Sequence, residues 1–460
     1  MATLENVLST IDANQGEALD RLFALVSIPS VSALPENFPD CDQAADWLVA
    51  ELKSLGFEAS KVETAGRPMV VGSAKAKTRD APNVLFYGHY DVQPADPLSL
   101  WKTPPFEPRL ESGPNGERIV GRGAADDKGQ LMTFVEACRA FRANGGLPCN
   151  VNILFEGEEE TGSPSLPAFL ASHGKAIKSD LLLVCDTSMW DAKTPAVTTM
   201  LRGLVMEEVI IHAANRDLHS GMYGGAAINP IRVLTRVLAD LFDANGAVTL
   251  PGFFDGVEEL PEEVAEQWRN LDFDAGAFLG EVGLSVPAGE KGRSALEMIW
   301  SRPTCDVNGI VGGYTGEGAK TVLPAKASAK VSFRLVGKQN PDRIAQSFRA
   351  HVKQRLPADV KAEFRAMGGS PAFALPMRGE ALRRACRALE AEWGKPAVLV
   401  GAGGSIPIVG AFKRELGMDA LMVGFALDDD AIHSPNEKYE RNSFHKGARS
   451  WARILAALAQ

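Results

Sequence analysis

Four hydrophobic runs in this chain each lead to a side chain that seeks cations. Asn83–Gly88 runs into His89-Tyr90-Asp91, Val151–Phe155 into Glu158-Glu159-Glu160, Leu181–Cys185 into Asp186, and Leu421–Phe425 on to His433. A fifth piece, Gly121–Gly129, sets Asp126 and Asp127 in a glycine-flanked loop. Ligands of open α/β sheets sit just beyond the carboxyl ends of the strands. Four such ends carrying His, Glu and Asp outline hydrolytic chemistry on a pair of metal ions better than they fit surface decoration.

Each motif also has a plainer reading. His89 can offer a ring nitrogen to a metal, with Asp91 fixing the ring as a second-layer carboxylate, or the pair can cap a solvent-facing turn. Asp126 can bridge two cations or, with Asp127, serve as the acidic start of the helix that follows. In Glu158-Glu159-Glu160, three adjacent carboxylates favour a nearby cation or one raised pKa. An extended backbone would point Glu159 away from its neighbours, splitting the cluster into ligand and base; a solvated acidic turn is the alternative. His433 lies in a polar loop, and only the other four groups lift it above an exposed histidine. His212, His351, His173 and His445 read as structural or solvent-facing, and His219 is ambiguous by spacing. Gly401–Ser405 before Pro407 is a glycine-rich turn into a helix, without the Gly-Lys-Ser/Thr of a P-loop. It is either a carboxylate-binding helix start or an ordinary capped turn.

The elements that must position these groups follow from periodicity. Residues 4–55 have helical spacing; strands are expected at 68–73, 83–87, 151–155 and 181–184, with an amphipathic helix at 128–143 and another helix at 164–172. This alternation predicts a largely parallel, helix-covered sheet. Near Gly203 the pattern changes to strand 204–212, helix 226–242, strands 307–314 and 326–335, helix 341–356 and strand 360–365. That β-α-β-β-α-β order is ferredoxin-like, with an acidic, solvated insertion at about 251–296. From about 375 the first pattern resumes, with helix 380–393, strand 397–400, helix 407–416, strand 420–425 and helix 443–458. The expected division is a discontinuous first domain, 1–202 and 375–460, with a second domain, 203–374, inserted into it.

The chain has 460 residues, enough for two cores. At 45% hydrophobic and 23% charged it has an ordinary globular composition. A formal charge of −10 supplies no basic face for a nucleic acid. The six cysteines are scattered without a CxxC, which predicts reduced thiols. The first residues show neither a basic segment nor an apolar one, and no apolar run reaches the roughly 18 residues of a membrane helix. The expected location is cytoplasmic, with no membrane partner.

The segments Gly88–Pro94, Gly121–Gly129, Glu156–Ser163 and His433–Glu437 together resemble the motif set of a zinc metallopeptidase family. That family includes carnosinase-type dipeptidases, acetylornithine deacetylase, succinyl-diaminopimelate desuccinylase and aminoacylase. The likeness spans essentially the whole chain, and Trp101–Phe106 with Asp217–Gly221 is most similar to the carnosinase, or cytosolic dipeptidase, branch. The resemblance implies a mostly parallel α/β catalytic domain holding two Zn²⁺ per subunit, with Mn²⁺ or Co²⁺ possible, and an inserted ferredoxin-like lid and dimerisation domain. By motif position, His89, Asp126 and Asp186 would hold one ion and Asp126, Glu160 and His433 the other. Glu159 would be the general base and Asp91 the group orienting His89. His219 resembles a lid histidine acting in the partner subunit of a homodimer, and Arg334, Gly404 and Ser405 resemble the grip on a substrate carboxylate. The implied reaction is hydrolysis of a dipeptide or short peptide with a free C-terminal carboxylate, by a hydroxide held between the cations. An N-acyl-amino-acid amidohydrolase is the alternative.

Overall fold

The computed structural model describes residues 3–403 and 407–460. The chain forms two compact units, one of Met1–Thr199, Leu375–Val400 and Pro407–Gln460, the other of Met200–Ala374 and Gly401–Ile406.

The first unit is built on a large sheet whose four central strands, Asn150–Glu156, Asn83–His89, Leu181–Val184 and Asp419–Met422, run parallel in that spatial order. Their sequences are nearly unbroken apolar runs because both faces are covered; all of Leu181–Val184 is buried. The margins are antiparallel, with Glu58–Val62 and Met69–Ala74 at one side and Ala196–Leu201 at the other. Register pairs His89 with Glu156 and Tyr87 with Val184, so these strands finish at one edge of the sheet.

Helix Lys128–Ala143 lies over this sheet, covered in turn by helices Leu4–Ala13, Gln15–Val26 and Arg441–Leu458. It is not the amphipathic helix expected, because neighbours surround it and every residue from Lys128 to Cys138 is buried. Phe86 stacks on Phe134 with ring centroids 3.8 Å apart, and Trp451 meets both edge-on at 5.5 and 5.6 Å. Sheet and two helices meet at this cluster. Trp451→Ala is expected to lower unfolding free energy by about 3–5 kcal/mol, read from urea denaturation midpoints. A loss below about 1 kcal/mol would mean that these rings do not hold the layers together.

Other elements shift or appear. The helical stretch 4–55 resolves into three helices, Leu4–Ala13, Gln15–Val26 and Phe38–Ser54. The helix expected at 164–172 runs Leu166–Ile177. The strand expected to reach Phe425 stops at Met422, because Gln130 Oε1 takes the N–H groups of Phe425 and Ala426 at 2.7 and 3.3 Å. A three-stranded sheet of Arg109–Gly113, Gly116–Val120 and Lys438–Glu440 was not anticipated. All six cysteines are free thiols.

The second unit has the order strand Gly203–His212, helix Pro230–Ala239, strands Thr304–Gly312 and Lys326–Leu335, helix Pro341–Gln354 and strand Lys361–Ser370. The four strands pair antiparallel, with Lys326–Leu335 and Gly203–His212 central and the other two at the edges. Val209, Ile211, Leu234, Val237, Phe333 and Phe348 fill its core. Asn229 caps the first helix and Pro230 opens it, which is why it starts four residues later than its spacing suggests. The acidic insertion carries the short helices Glu262–Arg269, Ala275–Gly280 and Ala295–Trp300 and is largely exposed.

Candidate metal centre

Five side chains gather at the carboxyl edge of the parallel strands. His89 ends its strand, and Asp186 follows the strand Leu181–Val184 by two residues. Glu160 lies in a 3₁₀ turn, Glu159–Thr161, beyond the strand Asn150–Glu156. His433 comes from the loop after Asp419–Met422, and Asp126 from the loop opening helix Lys128–Ala143. Their donor atoms form two sets, His89–Asp126–Asp186 and Asp126–Glu160–His433, each with all atoms within 4.8 Å of one another. Asp126 belongs to both. Its Oδ1 lies 3.0 Å from His89 Nε2 and its Oδ2 2.9 Å from His433 Nε2, and Glu160 Oε2 is 3.2 Å from the same His433 nitrogen.

The loop bearing Asp126 is tightly packed. A Cβ on Gly129 would come within 1.9 Å of the Ala124 carbonyl oxygen, so only glycine lets the first helical turn close on the loop. Asp127 precedes the helix without a side-chain cap; its Oδ2 instead accepts the main-chain N–H of His89 at 3.1 Å.

Asp91 links two pieces of the site. Its Oδ1 and Oδ2 accept the N–H groups of Glu159 and Glu160 at 3.2 and 3.1 Å, and the Ser32 hydroxyl donates to Oδ2 at 2.6 Å. His89 Nδ1 is 3.0 Å from the Asp91 carbonyl oxygen and 3.4 Å from Oδ1. Nδ1 therefore donates to the Asp91 carbonyl, which sets the ring so that Nε2 is the atom facing Asp126.

Glu158–Glu160 is a tight turn and not the extended segment expected. Thr161 and Ser163 donate N–H to the Glu158 carbonyl oxygen, and Gly162, at φ 85°, donates to that of Glu159. The three carboxylates still diverge. Glu158 is buried and accepts the Ser165 N–H at 3.2 Å, away from the cluster, while Gln93 Nε2 donates to Glu160 Oε2 at 2.8 Å.

The donor set suits a divalent cation. Asp186 is pushed well above the usual carboxylate range by burial and then by Asp126 and Asp127, and burial raises Asp127 to about 8. Burial also acts to raise Asp126, but hydrogen bonds from His433 and His89 prevail and hold it below its ordinary range. His433 is drawn up to about 10 by its hydrogen bonds to Asp126 and Glu160, against burial. Burial acts to lower His89, yet its hydrogen bonds to Asp126 and Asp91 hold it well above the usual imidazole value. Imidazole protons thus neutralise a cluster of buried carboxylates, a role cations on the same atoms fill more completely. Glu160 Oε1 is buried with no hydrogen-bond partner among the described residues, an acceptor left for a ligand. Mixed imidazole and carboxylate donors are those of Zn²⁺ and its first-row neighbours.

His219 and Arg334 belong to the second unit, where His219 is exposed and its Nδ1 accepts the Gly221 N–H at 3.0 Å. Arg334 is half-buried, its guanidinium forms no hydrogen bond or ion pair with the described residues, and its charge helps lower the Arg202 pKa to about 10, after burial. Gly404 and Ser405 lie outside the described residues. His351 bonds the Val237 carbonyl, His212 faces Glu363, His445 faces Asp12, and His173 stacks on Phe169.

Ser32, Gln93, Arg122 and Glu437 also support the cluster, and the sequence reading assigned none of them a part. Gln93, Arg122 and Glu437 each lie within a motif quoted above, whereas Ser32 carried no signal.

The sequence profile of peptidase family M20/M25/M40 matches residues 85–457. A relative in Schizosaccharomyces pombe, the Cys-Gly metallodipeptidase dug1, is 31% identical, with the match covering 99% of this chain and 98% of that protein. The Beta-Ala-His dipeptidase of Rattus norvegicus is 28% identical, over 100% of this chain and 96% of its own length. Among solved structures, an M20 family metallo-carboxypeptidase of Sulfolobus solfataricus, Sso-CP2, superimposes with a TM-score of 0.80 at 29% identity, covering 96% of this chain and 99% of that one. The family resemblance seen in the motifs is therefore borne out: the chain belongs to peptidase family M20/M25/M40.

Proposed function

We propose that the protein is a dipeptidase that hydrolyses dipeptides or short peptides with a free C-terminal carboxylate. Carrying the reading is the pair of His/carboxylate sets sharing Asp126, in a chain whose full-length relatives include named dipeptidases. His89, Asp126 and Asp186 would hold one cation and Asp126, Glu160 and His433 the second, zinc by donor chemistry, with Mn²⁺ or Co²⁺ served by the same atoms. When bound, such cations polarise a scissile carbonyl and lower the pKa of water at the site to about 7.

The chain's own residues supply the rest. Asp91 fixes the His89 ring and, through the Glu159 and Glu160 N–H groups, the turn beside it. Burial raises the Glu159 carboxyl; His89 opposes this, while Glu160, Asp91 and Asp126 add to it. A base so tuned takes the proton of the attacking water and returns it to the leaving amine. Arg334, a half-buried guanidinium with no partner among the described residues, would grip the substrate's carboxylate together with Gly404 and Ser405. His219, on motif position, would steady the developing oxyanion of a partner subunit. Residues 1–202 and 375–460 would then be the catalytic domain and 203–374 the lid and dimerisation domain.

A homodimer through the second unit is supported by its edge strand Thr304–Gly312, which exposes Val307, Ile310 and Val311. A monomer at micromolar concentration in sedimentation velocity would remove this part. The test of the function is a panel of dipeptides beside N-acetyl and N-succinyl amino acids, with metal analysis and a chelator arm. Turnover of dipeptides that chelator abolishes is expected. Silence on every dipeptide, with turnover of the N-acyl compounds, would make the protein an amidohydrolase instead.

A further inference from the structure

The loop that presents His433 is bent against the preferences of its own residues. Ala431, His433 and Asn436 have φ of 55°, 62° and 66°, a left-handed region that non-glycine residues hold only where the surroundings over-determine it. Three anchors do so. Asn436 Oδ1 accepts the Lys102 N–H at 2.8 Å and its amide donates to the Leu100 carbonyl at 2.9 Å. Lys438 Nζ donates to Asp430 and Glu440 at 2.6 and 3.1 Å. The third anchor is Glu437, which is fully buried.

The Glu437 carboxylate is fully engaged by the loop that presents Asp126. Its Oε2 accepts from Arg122 Nη1 at 2.8 Å and the Gly123 N–H at 2.9 Å; its Oε1 accepts the N–H groups of Ala125 and Asp126 at 2.9 and 3.1 Å. Its main-chain oxygen takes the Gly121 N–H at 3.1 Å. One side chain thus joins two segments 311 residues apart in sequence, one bearing Asp126 and the other His433. The His89–Asp126–Asp186 set has separate bracing: His89 ends a paired strand, its N–H is held by Asp127, and its ring meets Asp126 directly. His433 also meets Asp126 directly, Nε2 to Oδ2 at 2.9 Å, but it lies in a loop beyond the strand Asp419–Met422, so its place depends on the anchors of that loop.

We propose that Glu437 is the positioning residue that sets the separation of Asp126 and His433, and hence the cation affinity of the Asp126–Glu160–His433 set in particular. This rests on the two-cation reading above. Outer groups that orient metal ligands typically account for about 10–100-fold in affinity. A residue serving the fold alone would affect both sets alike.

The test is calorimetric titration of Zn²⁺ into the chelator-stripped full-length protein, with no substrate present. The parent chain takes up two ions. Glu437→Gln keeps the size of the side chain but turns an amide donor towards donors. It is expected to weaken one ion by about 10–100-fold and leave the other within twofold. In a His433→Ala background the same change is expected to have no further effect on the remaining ion. Glu437→Asp keeps the charge opposite Arg122 while drawing the carboxylate back by one methylene, and reads the same selective loss if the glutamine variant does not fold. Unchanged affinities, or equal weakening of both ions, would overturn the proposal, as would failure of both variants to fold. A parent chain that binds fewer than two ions would instead overturn the two-cation reading.

Discussion

Glu159→Gln lowers kcat by about 10²–10⁴-fold and leaves the cation content of the protein unchanged. Glu159 lies outside both metal-seeking sets, so the isosteric amide removes a base without removing a ligand. The main-chain N–H that fixes the residue to Asp91 is untouched by the exchange, so the turn carrying Glu160 keeps its place. KM should therefore move far less than kcat. The pH profile gives a second reading. Burial first, then Glu160, Asp91 and Asp126, raise the Glu159 carboxyl, with His89 opposing. The active form is the carboxylate, so kcat rises with pH through that raised pKa. The acid limb accordingly lies above the roughly 4.3 of an ordinary glutamate, and in the glutamine variant it disappears. Loss of less than tenfold in kcat, or an acid limb that survives the substitution, would remove Glu159 from the role of base.

Much of this architecture could be read before any coordinates because its central strands are buried on both faces. A parallel strand covered by helices must be apolar throughout, so Leu181–Val184 and the run before His89 stand out, and the polar residue that ends such a run marks the edge of the sheet. The inserted unit was legible for a related reason: strands covered on one face alternate, and Gly203–His212 does so over most of its length. Elements whose stability comes from distant partners were not legible. Arg109–Gly113 and Gly116–Val120 are polar and short, and the strand that completes their sheet, Lys438–Glu440, is about three hundred residues away. Helix Lys128–Ala143 misled because Gln130 and Glu136 look solvent-facing by type. Gln130 is instead used by the Phe425 and Ala426 N–H groups, and Glu136 by Arg21.

The same division runs through the site. Residues at strand ends and in compact motifs announce themselves by type and position. Residues that hold them do so through bonds to main-chain groups far away in sequence. Ser32 meets Asp91 across fifty-nine residues and Gln93 meets Glu160 across sixty-seven, and no local pattern encodes either contact. Asp91 was read as a partner of His89; its equal hold on the Glu159–Glu160 turn emerges only once the chain is folded. The turn itself, closed by Gly162, replaces the extended backbone that alternation would suggest, yet it still parts Glu158, which takes the Ser165 N–H, from Glu160, which takes the Gln93 amide.

Asp126 is where the second large effect is expected. Its two oxygens face in different directions, Oδ1 to His89 and Oδ2 to His433, each about 3 Å from an imidazole nitrogen. Asparagine retains one acceptor and turns the other into a donor, which repels any cation on that side. A ligand in one set only, such as Asp186, can be lost at the expense of one ion. A ligand shared by both sets cannot. Asp126→Asn is therefore expected to reduce bound metal from two ions to fewer than one per chain after dialysis, and to lower hydrolysis by about 10⁴-fold or more, as the several kcal/mol of cation-derived transition-state stabilisation is lost. Asp186→Asn should leave about one ion in place, so the pair of variants separates a shared ligand from a dedicated one. Elemental analysis beside dipeptide turnover reads both. An Asp126→Asn protein that still carries two ions and more than a hundredth of the parent activity would show that the two sets do not depend on a common carboxylate.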